Sequence, residues 1–234
     1  MTDKVIEFKN VVKRLGGAPV LDGLTFSVGK GEIFSVVGPS GTGKSVTLKH
    51  IVGLMYPDSG EVVTSTDHIG YLFQSGALLA WMTVYENVAL PLVETTKLSD
   101  GEIDAKVMDA LRAVGLEGDA EKYPSEISGG MQKRAGLARA IVCDAEVILY
   151  DEPTSGLDPV TSAHIMRLIR DLRDKRGVTS VVVTHDLASA IKTSDRIMLV
   201  SGGRAVVCAT PAEFAASRDP QVVEFLSAMK GEGL

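Results

Sequence analysis

Three observations predict an α/β fold with a mainly parallel sheet for this 234-residue chain. Continuous apolar runs, IFSVV (33–37), VILYD (147–151), SVVVT (180–184) and RIMLV (196–200), alternate with segments of helical spacing. Such runs suit strands buried on both faces of a parallel sheet. The first third instead carries short β-branched and aromatic runs between Gly-containing turns, which reads as an antiparallel flank at the N-terminus. A third stretch, roughly 83–125, loses the strand pattern and reads as a helical insertion.

In chain order, VIEFKNV (5–11), LTFSV (24–28), IFSVV (33–37) and HIGYLF (68–73) are the expected early strands. Between Ser99 and Val114 the period becomes helical. Ser99 and Glu102 form a capping box, and Ile103, Val107, Leu111 and Val114 make one apolar stripe. A second helix begins after the glycine pair at 129–130. A third runs from about Val160 through Ile165, Leu168, Ile169 and Leu172. The two bracket VILYD. Thr210, Pro211 and Glu213 join a capping box to a proline in the first helical turn. Asp219-Pro220 opens a last short helix through Val222, Leu226 and Met229. No internal repeat or low-complexity linker divides the chain. One domain over 1–234 is expected, with a helical subdomain at about 83–135 and a helical tail at about 211–230.

Composition removes several function classes. At 45% hydrophobic and 23% charged residues the chain is neither disordered nor collagen-like. Thirty acidic residues against 24 basic ones give a net charge of -6 with no basic run, a poor basis for gripping nucleic acid. The longest apolar stretches, at 147–150 and 181–183, are too short to span a bilayer. MTDKVIEFKN has no apolar signal-peptide core. A soluble cytosolic protein is expected. Cys143 and Cys208 lack metal-ligand spacing and read as small buried hydrophobes.

The strongest motif is GPSGTGKS (38–45): Gly38, Pro39, Ser40, Gly41, Thr42, Gly43, Lys44 and Ser45. It follows a strand and precedes VTLKHIVGL, the context that a phosphate-binding loop requires. Gly41 and Gly43 let the backbone turn its N–H groups inward at a helix start, forming an anion nest. Lys44 adds charge near the β- and γ-phosphates, and Ser45 offers a hydroxyl to Mg²⁺. VILYDE places Asp151 at the carboxyl edge of a strand, where a carboxylate can hold Mg²⁺ through water. Glu152 beside it is the candidate to polarise an attacking water. Alone, an Asp-Glu pair after a strand is more often a solvated turn; the upstream phosphate loop reverses that preference. His185, ending SVVVTHD, is a candidate γ-phosphate contact. Gln74, after HIGYLF, is a candidate Mg²⁺ ligand and sensor.

ISGGMQKR (127–134) decides between kinds of phosphate-loop ATPase. Ser128, Gly129 and Gly130 open another anion-binding helix start, yet one nucleotide needs one phosphate loop. The economical explanation is that the second nest serves a nucleotide held by another subunit. The phosphate loop, Gln74, the serine-glycine-glycine segment, DEPTSGLD (151–158) and His185 occur in the order that the ATP-binding cassette (ABC) ATPases show. The chain resembles that family over essentially its whole length. The resemblance implies an ABC nucleotide-binding domain with ATP and Mg²⁺ as cofactors. It also implies a head-to-tail homodimer, in which Ser128, Gly129, Gly130 and Met131 act in trans. Ser155, Gly156, Leu157 and Asp158 would form the loop that crosses the pair. Leu15 occupies the position that in the family usually carries an aromatic for stacking on adenine.

YLFQSGALLAWMTVYENVALPL (71–92), SGGM and the tail DPQVVEFLSAMKG (219–231) resemble more closely the ATPases of the maintenance-of-lipid-asymmetry and Mce-associated transporters. That resemblance implies transport of phospholipids or related hydrophobic molecules. It implies an integral membrane permease as a separate chain and leaves room for Mce-type lipid-binding and small regulatory subunits. The expected location is peripheral, on the cytoplasmic face of the inner membrane. Met131 replaces a commonly polar residue, and 60–74 is shorter than usual. The ATPase of a small-solute importer remains the alternative within transporters. A soluble non-transport ABC ATPase is the alternative outside them, though such chains carry a coiled coil or second cassette that is not found here. A simple kinase leaves the serine-glycine-glycine segment unexplained.

Overall fold

The computed structural model describes residues 3–231, with side chains as far as Ala228. Its first element is a long hairpin. Gly16 and Gly17, at φ 57° and 86°, supply the two left-handed positions that a two-residue hairpin turn requires. They join β1 (Lys4–Leu15) to β2 (Ala18–Gly29), with Leu15 opposite Ala18. Both strands are longer than their apolar runs suggest. A further strand, β4 (Ser59–Thr64), pairs antiparallel with β1 and completes a three-stranded flank of order β2-β1-β4. The expected antiparallel flank is present.

By contact density the chain forms two units: residues up to Asp67 with those from Arg170 on, and residues His68–Ile169. In the first, β3 (Ile33–Val37) lies between β7 (Thr179–Val183) and β8 (Arg196–Ser201), parallel to both. Every residue of β3 and β7 is buried, as the continuous apolar runs predict. β9 (Arg204–Ala209) returns antiparallel beside β8 through Gly202 and Gly203, again at positive φ. Phe8, Phe26 and Phe34 stack in succession at centroid distances of 4.5 and 5.4 Å, joining the flank to β3. Arg196 covers the end of the stack, 5.3 Å from the Phe34 ring. α1 (Lys44–Ile51) follows β3, and α6 (Leu187–Thr193) follows β7. Phe214 and Val222, on α7 (Pro211–Ala215) and α8 (Pro220–Gly231), close a buried cluster with Val37, Leu187, Ala190, Ile197 and Leu199. The expected capping box of α7 forms: Thr210 N–H donates to Glu213 Oε2 at 3.0 Å. Met229, expected on the apolar stripe of α8, lies beyond the described side chains.

The second unit holds the parallel pair β5 (Ile69–Leu72) and β6 (Val147–Asp151) with the helices α2 (Val84–Thr95), α3 (Asp100–Ala113) and α4 (Gly129–Ile141). α3 starts where its capping box places it, with Ser99 N–H donating to Glu102 Oε2 at 2.8 Å. α5 (Pro159–Arg176) contains the boundary between the two units, after Ile169. Among the described residues no helix is long and apolar enough to cross a membrane.

One expectation needs correcting. Cys208 is exposed and Cys143 only half-buried, so neither is a fully buried hydrophobe. Cys208 faces out from the edge strand β9, where its Sγ accepts a hydrogen bond from Arg196 at 2.9 Å.

Candidate functional site

The phosphate loop owes its shape to three glycines. Beyond β3 the chain passes so close to β8 that a Cβ on Gly38 would collide with the Val200 carbonyl. Gly41 and Gly43 stand at φ 81° and 93°, and a Cβ on Gly43 would meet Leu21 Cδ2 and the Val20 carbonyl at 2.8 Å. Left-handed geometry and close approach together exclude any side chain there. Gly43 is the N-cap of α1 and has no side chain with which to cap it. The helix end thus presents backbone N–H groups and the positive end of its dipole. Lys44 is 7% exposed and folds back over the loop, its Nζ donating to the Gly38 and Pro39 carbonyls at 2.7 and 2.8 Å. Thr42 Oγ1 donates to the Pro39 carbonyl at 2.9 Å and tightens the same rim.

His185 leaves the sheet beside this loop. Val36 pairs in register with Val183, so Gly38 and His185 each stand two residues past paired positions on neighbouring parallel strands. His185 is exposed, and Asp186 caps α6 behind it by accepting from Ser189 N–H at 2.9 Å. Leu15 ends β1 at the hairpin turn, 41% exposed.

The second unit repeats the device. Leu72 pairs with Tyr150, so Gln74 and Glu152 each follow two residues behind on adjacent parallel strands. Asp151 accepts a hydrogen bond from the Tyr71 hydroxyl at 3.2 Å. Burial first, then the Asp151 carboxylate, holds the Tyr71 phenol above its ordinary pKa, so it remains a donor. Glu152 has φ 51°, a left-handed backbone that costs a residue with a side chain about 1–2 kcal/mol. Lys133 on α4 spans the turn that follows: its Nζ donates to the Glu152 carbonyl at 3.3 Å and the Ser155 carbonyl at 2.5 Å. Gln74 Nε2 donates to Ser155 Oγ at 3.2 Å. The chain then turns at Gly156, φ 72°, and passes Leu157 to Asp158, which starts α5 by accepting from Val160 and Thr161 N–H at 2.9 and 3.0 Å. Contacts with Thr161, foremost, hold the Asp158 carboxyl below its ordinary pKa.

Ser128 caps α4, its Oγ accepting from Met131 N–H at 3.3 Å. Ser128 and Gly129 are exposed, Met131 is half-buried, and Gly130 is buried. A Cβ on Gly130 would stand 2.5 Å from Thr161 Cγ2, whereas one on Gly129 would meet nothing. The serine-glycine-glycine segment and the 155–158 loop are therefore packed together at the starts of α4 and α5.

The structure thus gathers the phosphate loop with His185 in one unit. It gathers Gln74, Asp151, Glu152, the 155–158 loop and Ser128 with its glycines in the other. Sequence reasoning missed Tyr71 and Lys133. The signal for Lys133 is a charge on the buried face of α4, among Gly130, Leu137 and Ala140. Tyr71 pairs with Leu149, two residues before Asp151 on the adjacent strand. Missed too are Asn87 and Arg139, which hold the segment after Gln74. Buried Asn87 Nδ2 donates to the Leu79, Met82 and Thr83 carbonyls at 2.9–3.1 Å. Arg139 donates to the Gly76 and Ala77 carbonyls at 2.8 Å.

The sequence model of the ABC transporter family matches residues 21–155. The chain is 41% identical to the "Probable ribonucleotide transport ATP-binding protein mkl" of Mycobacterium leprae, over 95% of this chain and 68% of the relative. It is 38% identical to the "Intermembrane phospholipid transport system ATP-binding protein MlaF" of Haemophilus influenzae, over 99% of this chain and 92% of the relative. Among solved structures it resembles the dimeric ATP-binding cassette MJ0796 in a post-hydrolysis state bound to ADP and Pi. That likeness has a TM-score of 0.80 and 32% identity, and covers 88% of this chain and 98% of that one.

Proposed function

Because the chain belongs to the ABC transporter family of ATP-binding cassettes and is an ATPase of that family, we propose that it powers the movement of phospholipids or related hydrophobic molecules across a cell envelope. The observation that carries the cargo is the likeness to the intermembrane phospholipid ATPases, which spans 99% of this chain and 92% of the relative. The mycobacterial relative named for ribonucleotides is matched over only 68% of its length. In this reading the chain works as a homodimer on the cytoplasmic face of the inner membrane, against a separate integral permease. Mce-type lipid-binding and small regulatory chains would complete the assembly.

Each residue then has a task. Backbone N–H groups of the phosphate loop and the Lys44 ammonium bind the β- and γ-phosphates. The hydroxyl of Ser45, the amide oxygen of Gln74 and the carboxylate of Asp151 are the oxygen donors that would hold Mg²⁺, a cation that prefers oxygen ligands. When bound there, Mg²⁺ would supply charge neutralisation for the transferred phosphoryl group. Tyr71 orients the Asp151 carboxylate. Glu152 polarises the attacking water, and His185 contacts the γ-phosphate. Leu15 covers the base. Ser128, Gly129, Gly130 and Met131 close over the nucleotide of the partner subunit, and the 155–158 loop crosses between the two. Hydrolysis here is positioning and electrostatics.

Two experiments test the reading. Glu152→Gln keeps shape and a hydrogen bond but loses the carboxylate, so it abolishes turnover while ATP still binds and traps a dimer. A Glu152→Gln chain that hydrolyses at the wild-type rate removes Glu152 from the role. Mass spectrometry of the detergent-solubilised complex should find a multi-spanning membrane protein and bound phospholipid. Retention of a small polar solute instead would overturn the cargo.

A further inference from the structure

Lys133 is 5% exposed, and a buried ammonium costs several kcal/mol of desolvation unless it is well paired. Its partners are not spread over the protein. Both carbonyls that receive its Nζ, those of Glu152 and Ser155, belong to one turn, which Ser155 N–H closes by donating to the Glu152 carbonyl at 3.2 Å. That turn begins at the left-handed Glu152 backbone. A residue with a side chain persists at such a φ only where its surroundings over-determine it. Lys133 supplies that determination from the α4 side, and Gln74, bonded to Ser155 Oγ, from the β5 side.

We propose that Lys133 is a positioning residue for hydrolysis: its ammonium clamps the carbonyls of Glu152 and Ser155 and so fixes the left-handed backbone from which the Glu152 carboxylate projects. The proposal rests on the reading of Glu152 as the group that polarises water. In this reading Lys133 acts through Glu152 rather than on the substrate. It stands five residues past Ser128 on the same helix, so the helix whose start faces the partner's nucleotide also sets the geometry of Glu152 in its own subunit. An apolar residue would fill the space without the two hydrogen bonds and would release the turn.

The test separates positioning from packing. Lys133→Met removes the donors and keeps most of the volume. In the full chain, kcat for ATP hydrolysis should fall about 100-fold, the loss expected when a reacting group is misplaced by about an ångström. KM for ATP should stay within about twofold, since the phosphate loop is untouched. Lys133→Arg, which restores donors, should bring kcat back to within about tenfold of wild type. A folded Lys133→Met chain with wild-type kcat overturns the proposal, as does an equal loss in the Met and Arg variants. If Lys133→Met does not fold, Lys133→Arg decides: turnover supports the clamp, and a folded, ATP-binding but inactive Arg variant overturns it. Glu152→Gln is measured alongside. An inactive Glu152→Gln chain beside a fully active Lys133→Met chain sinks only this proposal, whereas an active Glu152→Gln chain sinks the reading beneath it.

Discussion

Helices α1 and α4 both begin at glycine-rich ends, and they are finished in opposite ways. At α1 a left-handed glycine offers no cap, and a buried lysine is folded into the loop at the helix mouth. At α4 a serine caps its own helix, and the nearest lysine, Lys133, points inward to the Glu152 and Ser155 carbonyls. The first end combines backbone donors with a cation and is built to hold a polyanion. The second leaves an exposed serine and glycine, with its lysine turned to the Glu152 and Ser155 carbonyls. Such a surface can complete a site around a phosphate that is already held, but it is poorly equipped to capture one. In the proposed function, two helix starts of similar composition would therefore divide the labour between affinity and closure.

Removing the cation breaks the comparison most severely. Lys44→Ala should weaken ATP binding about 100-fold, because a hydrogen-bonded charge contributes roughly 1.5–3 kcal/mol and the phosphates lose their only lysine in the loop. Titration with a fluorescent ATP analogue reads this directly. Unchanged affinity would mean that the backbone nest alone suffices and that the two ends differ less than their lysines suggest.

The glycines of α4 sharpen the contrast at smaller cost. Gly130→Ala drives a Cβ to 2.5 Å from Thr161 Cγ2 and should destabilise the fold by about 1–3 kcal/mol, seen as a lower thermal midpoint. Thr161→Ser in the same chain removes the clashing methyl and should restore most of the loss. Gly129→Ala faces open space and should leave stability within about 0.5 kcal/mol. Equal midpoints for the two alanine variants would refute the packing explanation for Gly130.

Leu15 gives the smallest effect. Base–aromatic stacking contributes about 1–3 kcal/mol, of which an exposed leucine supplies part. Leu15→Tyr should tighten ATP binding by about three- to tenfold and widen the preference for ATP over GTP. No change in calorimetric affinity would show that the base is covered by something else.

How much of this was legible depends on how local each cause is. The phosphate loop can be read because strand, glycine spacing and helix start lie within a dozen residues. The serine of α4 reads as a helix start for the same reason. Lys133 cannot be read this way, since the carbonyls it holds lie 19 and 22 residues further along the chain. Tyr71 meets Asp151 across 80 residues, through strand pairing alone. β4 escapes because SGEVVT is largely exposed and is defined by pairing with β1. β9 did leave a local signal, the glycine pair between RIMLV and RAVVCA. Its exposed Cys208 follows from the alternation of an edge strand, which composition does not reveal.

The central claim is that the exposed start of α4 acts on a nucleotide bound by another subunit, and Ser128→Arg tests it most directly. An isolated Ser128→Arg chain should bind ATP as the wild type does, because its own phosphate loop is intact. Its homodimer with the membrane partner should not hydrolyse ATP, since a bulky cation fills the nest that must close over the opposite phosphates. Mixed with Lys44→Ala chains, it should regain activity through the one site that pairs an intact loop with an intact serine. Wild-type hydrolysis by the Ser128→Arg homodimer would contradict the claim and reduce SGGM to a helix start.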